Sequence, residues 1–478
     1  VYLSRHDANV IYVAYNHHKY GDFKPYIFKT SDKGKTWKSI ASNLPKRGSV
    51  YAIEEDHINA DLLFCGTEFG VFFSPNKGQR WKELATGLPT IAVRDIAIQE
   101  RENDLVLGTF GRGFYVMDDY SSLRKIKNEN PAETAVVYPI RDALSWEESS
   151  PLGLPSKSFQ GDNFYSAPNL GPEAMITYYY NEDYKTLKEK RTKKEGELIK
   201  ENKDTNYPDY KTLKAEKDEE EAMLLFTIKN AEGTIVKKEF IKPVKGIQRF
   251  HWNLRFTPQD PIDFRESSFY NPFSGKDVGT LVTPGKYTVD MQLFKDGTLT
   301  SLTSPVEFNV VALKNTTMPA ADRAAKVAFQ RQVSSLQADY QICQNLIKES
   351  DHKLKYINVA IKSSEQPFGL LLKTVKDIES KLKDINVELY GNPIKNKLDI
   401  SQPQTPANRI GMIGYEQKYS TSAPTKTHKE TYAIAKAELG IIKKKVELIY
   451  NDDIKRLEEQ LIKSGAPYTP GRGYENKD

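Results

Sequence analysis

Two short stretches restrict this chain more than anything else in it. Thr30 to Ile40 reads TSDKGKTWKSI and Ser74 to Leu84 reads SPNKGQRWKEL, at a spacing of 44 residues. In the first, the Asp32 side chain can accept backbone N–H bonds in a tight turn opened by Thr30. Gly34 can supply a positive φ, and Trp37 can fold back as an apolar plug. In the second, Ser74, Asn76, Gly78 and Trp81 repeat the pattern. This is turn chemistry that locks a hairpin, and because Asn76 stands where Asp32 does, the turn does not need a carboxylate.

The turns sit inside a larger repeat. VIYVAYN from Val10, DLLFCGTEFGVFFS from Asp61 and NDLVLGTFGRGFYVMDD from Asn103 read as hairpins, each an apolar run leading into a turn and a second run. VYAIEEDHINA and VRDIAIQEREN precede the last two and resemble each other. Repeats of roughly 40–50 residues with about four strands each point to propeller blades. Residues 1–125 therefore read as two to three blades. An open set would leave apolar faces and sheet edges bare. The chain opens VYLSRHDANV without Met or a signal peptide, so the expectation is a fragment that begins inside a structure. Its remaining blades would precede Val1 or come from another chain.

The texture then changes twice. Over 132–315, six strand-like runs (EAMITYYY, AMLLFTIKN, TIVKKEF, IQRFHWNLRF, GKYTVDMQLF and PVEFNVVAL) are separated by turns such as AEG, TPG and KDG. They predict a β-sandwich of immunoglobulin-like or FlgD-like type. A charged tract over 183–221 reads as a solvated helical or partly disordered insertion. Over 319–465 the period becomes helical. Phe329, Val333, Leu336, Tyr340, Cys343 and Ile347 form one seam, with a polar skip at Ser350. Leu371 to Leu389 form a second, and Ala435 to Leu461 a third. Three long amphipathic helices predict an antiparallel bundle. The stretch 391–426, rich in Pro, Asn, Ser and Thr, reads as a long structureless connection, and 466–478 as a tail. The fold class is thus multidomain, mostly β with an α C-terminus.

Composition narrows the function. With 478 residues there is material for about three domains at roughly 100–200 residues each. The 69 basic and 64 acidic residues are spread along the chain, which argues against a nucleic-acid partner. No run of 18 apolar residues exists, so no transmembrane helix is expected. Cys65 and Cys343 are expected in different domains as buried packing thiols, without a bridge.

The paired turns resemble the Asp box, or bacterial neuraminidase repeat, Ser/Thr-x-Asp-x-Gly-x-x-Trp, of sialidases, sortilins and related propellers. The longer stretches GDFKPYIFKTSDKGKTW, RDIAIQERENDLVLGTFGRGFYVMDD, GIQRFHWNLRF and TPGKYTV are similar to large secreted sortilin-like or glycosyl-hydrolase-like repeat proteins common in Bacteroidota. That resemblance implies the C-terminal half of a longer protein. It also implies box residues on the blade periphery with a structural role, an extracellular or cell-surface location, and association with an outer-membrane complex.

No catalytic residue is assigned. The sialidase Arg-Ile-Pro motif is absent, and Gly-x-Ser-x-Gly and His-Glu-x-x-His do not occur. His17, His18 and Asp22 share one loop and could contact a ligand, although adjacent imidazoles diverge in an extended loop, so no metal site is assigned. Arg112, between two glycines, could present a guanidinium to an anion or peptide, or bond blade carbonyls. Asp118 and Asp119 are expected in a strand-end turn with exposed carboxylates, facing opposite ways, which unsuits them to flank one glycosidic bond. Trp252 shares a strand face with Phe250 and Leu254 and reads as core. Phe264, Phe269, Tyr270 and Phe273 crowd one loop and read as packing between domains. No cofactor is called for. The expectation is a surface protein that binds a protein or glycan ligand and serves as a scaffold or accessory subunit. The alternative is a polysaccharide hydrolase whose carboxylates lie mainly in the missing blades.

Overall fold

The computed structural model describes residues 1–85, 87–126, 133–147, 167, 170–263, 278–314, 322–364, 369–420 and 422–473, with only the backbone of 418 and 419. The aromatic loop with Phe264, Phe269, Tyr270 and Phe273 lies outside the described residues. The chain divides into two compact units. One comprises Val1–Leu144, Glu173–Asn253 and Gly285–Val311, the other Ser145–Pro172, Leu254–Pro284 and Ala312–Asp478.

The first unit begins with three antiparallel repeat sheets. The first is β1 (Tyr2–Leu3), β2 (Ile11–His17), β3 (Asp22–Thr30) and β4 (Lys38–Ser39). The second is β5 (Val50–Glu55), β6 (Leu63–Thr67), β7 (Gly70–Ser74) and β8 (Lys82–Glu83). The third has β9 (Val93–Gln99), β10 (Asp104–Thr109) and β11 (Phe114–Met117). The three hairpins expected from the apolar runs are β2–β3, β6–β7 and β10–β11, and the paired turns join the third and fourth strands of the first two sheets.

Strand alternation decides what each sheet buries. Tyr12, Ile27 and Ile40 of the first sheet meet Leu63, Cys65, Phe72 and Trp81 of the second in one core. Leu62, Phe64, Val71 and Phe73, on the opposite face of the second sheet, meet Ile96, Leu105 and Leu107 of the third. Buried Tyr138 and Tyr179 join that second core from the sheets that follow. Burial among apolar side chains pushes the Cys65 thiol well above its ordinary range.

Those following sheets are β12 (Ala135–Val137), β14 (Ala174–Tyr180) and β17 (Gly246–Trp252) in one, and β13 (Ala143–Ser145), β15 (Met223–Asn230), β16 (Ile235–Ile241), β18 (Gly285–Lys295), β19 (Thr298–Ser301) and β20 (Val306–Ala312) in the other. Rings join them. Phe226 of β15 lies 4.8 Å from Tyr178 and 4.7 Å from Phe250, while Trp252 lies 5.5 Å from Tyr287 and 6.1 Å from Phe308. Trp252 is fully buried, as its strand position predicts. Leu254 departs from the expected alternation, because it lies past the strand end with a φ of 53°. Strands β12, β13 and β19 went unforeseen, being only three or four residues long.

The charged tract forms two helices, α1 (Leu187–Lys200) and α2 (Tyr210–Asp218). Thr186 and Glu189 make a capping box for α1, Asp209 caps α2, and neither helix buries a residue. Arg191 clamps them together, with Nε 2.5 Å and Nη2 2.9 Å from the two oxygens of Glu216.

The second unit is mostly helical: α3 (Arg323–Lys362), α4 (Gly369–Tyr390), α5 (Pro393–Lys397), α6 (Pro406–Tyr419), α7 (Lys426–Leu448) and α8 (Ile454–Lys463). The three apolar seams meet in one core of buried residues that includes Leu336, Ile357, Ile378, Leu382, Leu439 and Leu457. Cys343 is among them, its thiol pushed up by burial to about 11. The polar skip, Ser350, lies fully buried on the same stripe. The expectation of a structureless 391–426 is corrected. Thr405 caps α6 with Pro406 in its first turn, and Asn392 caps α5 ahead of Pro393. Ile410 and Ile413 of α6 enter the helical core. Residues 449–453 between α7 and α8 form a single π turn.

Candidate functional site

The two box turns are superposable in chemistry. Thr30 Oγ1 donates to Asp32 Oδ1 at 2.7 Å and Ser74 Oγ donates to Asn76 Oδ1 at 2.9 Å. Gly34 N and Gly78 N donate back to those hydroxyls at 3.0 and 2.8 Å. Thr36 N reaches Asp32 at 2.8 Å and Arg80 N reaches Asn76 at 2.9 Å. Both glycines have positive φ, 89° and 82°. Both turns are thus closed by the same set of hydrogen bonds.

They differ in the tryptophan. Trp81 is 3% exposed and its Nε1 donates to the Ile40 carbonyl of the first sheet at 2.7 Å. Trp37 does not become the buried plug the sequence led us to expect. It is 44% exposed and its Nε1 donates to its own Gly34 carbonyl at 3.0 Å. The second box has the first sheet to lie against, and no described residue stands in that position for the first.

Asp32 is held at a pKa of about 2, first by the Thr36 hydroxyl, then by Thr30 and the Thr36 amide. Because the folded value lies below the ordinary one of about 3.9, its contribution is complete above that value and is lost as pH falls through about 2. Acidification should therefore shift the backbone amide resonances of Gly34 and Thr36 but not those of Gly78 and Arg80. The Asp32→Asn variant should abolish the difference. Equal acid sensitivity of both boxes would contradict this account.

The residues with binding chemistry gather at the other end of the strands, where the hairpins β2–β3, β6–β7 and β10–β11 turn. The first tip is tied to the connection entering the second sheet, Gly48 N donating to Phe23 O at 2.8 Å, and the other two to the segments entering their own sheets, Glu68 N donating to Ser49 O at 3.0 Å and Phe110 N to Ala92 O at 2.9 Å. Arg94 lies with its guanidinium carbon 3.8 Å from the centroid of Tyr51 and 5.1 Å from that of Phe110. Arg47 lies 5.2 Å over Phe23. Phe69, Phe110 and Phe114 stand exposed, the last two at 68% and 81%. This end is an aromatic rim with guanidinium groups set among the rings.

The sequence candidates divide between the two ends. His17, His18 and Asp22 are at the rim. His17 pairs with Asp22 across the β2–β3 ladder, and its ring lies tilted against that of Tyr20 with centroids 4.5 Å apart. His18 is exposed in a one-turn 3₁₀ segment. The Asp22 carboxylate accepts from Tyr26 Oη at 2.6 Å and Lys24 N at 3.1 Å, which hold its pKa low. Among the described residues no group of three or more His, Cys, Asp or Glu is arranged to hold a metal ion. Arg112 is exposed at the β10–β11 tip, and no hydrogen bond from it to a strand carbonyl is present among the described residues.

Asp118 is at the opposite end, and the expectation of exposed carboxylates there is corrected. Asp119 is 5% exposed and Asp118 half-buried. Their carbonyls accept from Arg249 Nη2 and Nη1, each at 2.6 Å, an anchor between the third repeat sheet and β17. Burial, then the neighbouring Asp104, raises the Asp118 carboxyl.

The same end carries an acidic run that sequence reasoning passed over. Glu54 accepts from Tyr2 Oη at 3.1 Å and Arg5 Nη2 at 3.2 Å, and Arg5 also pairs with Glu100. Glu55 accepts from Ser4 Oγ, Arg5 N and Tyr12 Oη at 2.7, 2.8 and 3.1 Å. Asp56 accepts from Arg124 Nε and Nη2, both at 2.8 Å, and from Tyr120 Oη at 2.5 Å. Acids held in this way lock the sheets together. Arg5 lies at this end, with Glu54, Glu55 and Glu100, whereas Arg94 and Arg112 lie at the rim.

No family model matches this chain, and no curated protein does. Among solved structures it is similar to a GH74 xyloglucanase from Xanthomonas campestris, at 12% identity and a TM-score of 0.20 over 36% of this chain and 25% of that one. It is also similar to an ancestral GH74 enzyme, at 12% identity and a TM-score of 0.22 over 65% of this chain and 34% of that one. The chain thus spans between a quarter and about a third of the length of these structures. Likenesses of this size fix neither a fold nor an activity for it.

Proposed function

We propose that this chain is a binding and scaffold module whose aromatic rim holds a glycan. In this reading the three repeat sheets are propeller blades, the two facing sheets an immunoglobulin-like or FlgD-like sandwich, and the helices an antiparallel bundle. The observation that carries the proposal is the set of ring planes at one end of the strands. Arg94 is fixed between Tyr51 and Phe110, with Phe69, Phe110 and Phe114 exposed beside it. Exposed aromatic faces clustered at one end are costly for solubility and suit the apolar faces of sugar rings, while guanidinium groups serve hydroxyls and carboxylates. A place at a bacterial cell surface, within an outer-membrane assembly, rests on the resemblance to secreted sortilin-like repeat proteins.

The hydrolase alternative would draw its carboxylates mainly from outside these residues, and neither Asp22 nor Asp118 supplies its acid at the rim. It needs one carboxyl kept protonated near neutral pH, and at the rim Asp22 is driven the other way by Tyr26. Asp118, whose carboxyl is raised, belongs to the opposite end.

The test is a glycan array followed by calorimetry with the full chain. Binding is expected, and Phe110→Ala or Phe114→Ala should each weaken it by roughly tenfold, in keeping with a loss of about 1–2 kcal/mol for a truncated aromatic contact. A silent array, or unchanged affinity in both variants, would overturn the proposal.

A further inference from the structure

The two turns are an internal experiment: the same hairpin lies once against a neighbouring sheet and once, among the described residues, against none. In the second sheet the face bearing Leu63, Cys65, Phe72 and Trp81 is buried against the first. Shifting by the 44-residue repeat, and following the ladder partners Cys65 with Phe72 and Val13 with Phe28, the corresponding face of the first sheet carries Ile11, Val13, Phe28 and Trp37. None of these four is buried. Tyr15 and Tyr26 extend the face, and Tyr15 stacks in near-parallel on Tyr26 and Phe28 with centroids 4.9 and 5.8 Å away. The result is an aromatic sheet face of core composition without a covering layer among the described residues.

The occupied copy shows what such a face takes. Ile40 lies so close over Gly78 that a Cβ there would come within 2.9 Å of it. The Ile40 carbonyl receives the Trp81 indole N–H. Asn43 brackets the Trp81 backbone, its Oδ1 accepting from Trp81 N at 2.7 Å and its Nδ2 donating to Trp81 O at 2.9 Å. At the first box no described residue takes these places, and a Cβ added to Gly34 would meet only Trp37 Cζ2, at 3.7 Å, among the described residues. Trp37 has turned onto its own glycine and fills the site that Ile40 fills in the other copy.

We propose that the Ile11, Val13, Tyr15, Phe28 and Trp37 face docks a partner sheet that presents an edge segment of the Ile40–Asn43 kind: a branched apolar residue with a free carbonyl, followed three residues later by asparagine. A second copy of this chain does not fit. Its own Ile40–Asn43 segment is already engaged by Trp81, and at the repeat-equivalent places it offers Leu84 and Gly87, the latter without the amide that brackets the tryptophan backbone. The partner is therefore a different blade-type sheet.

The probe is the segment Lys38–Leu44 itself, joined to the amino terminus of the full chain by a flexible linker, which supplies roughly millimolar effective concentration. Iodide quenching of Trp37, isolated by difference against the Trp37→Phe variant, is read with this segment and with one in which the asparagine is replaced by alanine. We expect the native segment to cut Trp37 quenching severalfold and the alanine segment to do so far less. Equal quenching of Trp37 with either segment, while Trp81 stays protected in both, would overturn the proposal. Glycan binding at the rim is read separately, because Tyr51, Phe69, Arg94, Phe110 and Phe114 are not part of this face.

Discussion

Replacing Asp56 by alanine is expected to destabilise the first unit by about 3–5 kcal/mol, the range for removing one partner of a buried ion pair. The carboxylate is fully buried and serves two structures at once. Its Oδ2 accepts from Asn59 N at 2.7 Å and Ile58 N at 3.2 Å, closing the turn after β5. It also receives Tyr120 and both Arg124 contacts from the segment that follows the third sheet. Without it, Arg124 would be left among buried groups with Asn103, 2.7 Å away, as its remaining side-chain acceptor besides the Tyr120 hydroxyl. Urea denaturation of the single variants Asp56→Ala and Arg124→Met, and of the double variant, measures the coupling; the double should cost clearly less than the sum. Additive losses would mean that the pair is not a unit. Burial pushes the Asp56 carboxyl up, but Arg124 and Tyr120 outweigh it and its pKa is lowered. The pair should therefore stabilise fully above the ordinary carboxylate range, and the effect should fade as pH falls through the lower folded value.

The second large effect separates the two tryptophans. Trp81→Ala is expected to cost about 3–5 kcal/mol, since it empties a buried site and leaves Gly78 and Asn43 facing a cavity. Trp37→Ala, at an identical place in the repeat, should cost clearly less, about 1 kcal/mol, the scale of its single hydrogen bond and half-exposed ring. Thermal denaturation of the two variants side by side is the measurement. A comparable loss in both would show that Trp37 is packed in solution, and that the open face described for the first sheet is covered.

Those two residues also mark where sequence reading stops. Thr30, Asp32 and Gly34 could be placed because their work is local: hydroxyl, carboxylate and glycine meet within five residues. Whether the tryptophan is buried depends on a neighbouring sheet, which no local pattern reports. The same limit applies to the rim. Tyr51, Arg94 and Phe110 are scattered over sixty positions and become neighbours only when β5, β9 and the β10–β11 tip align. His17, His18 and Arg112 stood out because they are polar and flanked by turn residues, yet the closest ring and guanidinium contacts belong to residues that look like ordinary strand. In the helical unit, α6 was missed for a compositional reason. Its segment PANRIGMIGYEQKY carries two glycines and a sparse apolar stripe, although Thr405 and Pro406 announced its start. A Cβ at Gly414 would come within 2.2 Å of the terminal amide of Gln337 on α3, which would have to swing aside.

The seam of α7 and α8 advances by four and three residues from Ala435 to Ile449, then by five to Ile454, then by three and four to Leu461, and all of these residues are buried. One surplus residue in an unbroken α-helix would turn everything after it by about 100° around the axis, carrying Leu457 and Leu461 into water. The π turn at Ile449–Asp453 takes up that surplus within one loop of backbone. It works as a phase corrector. The final turns of the helix owe their buried stripe to a local change of pitch, so the length of the chain before them and the direction they face are set independently.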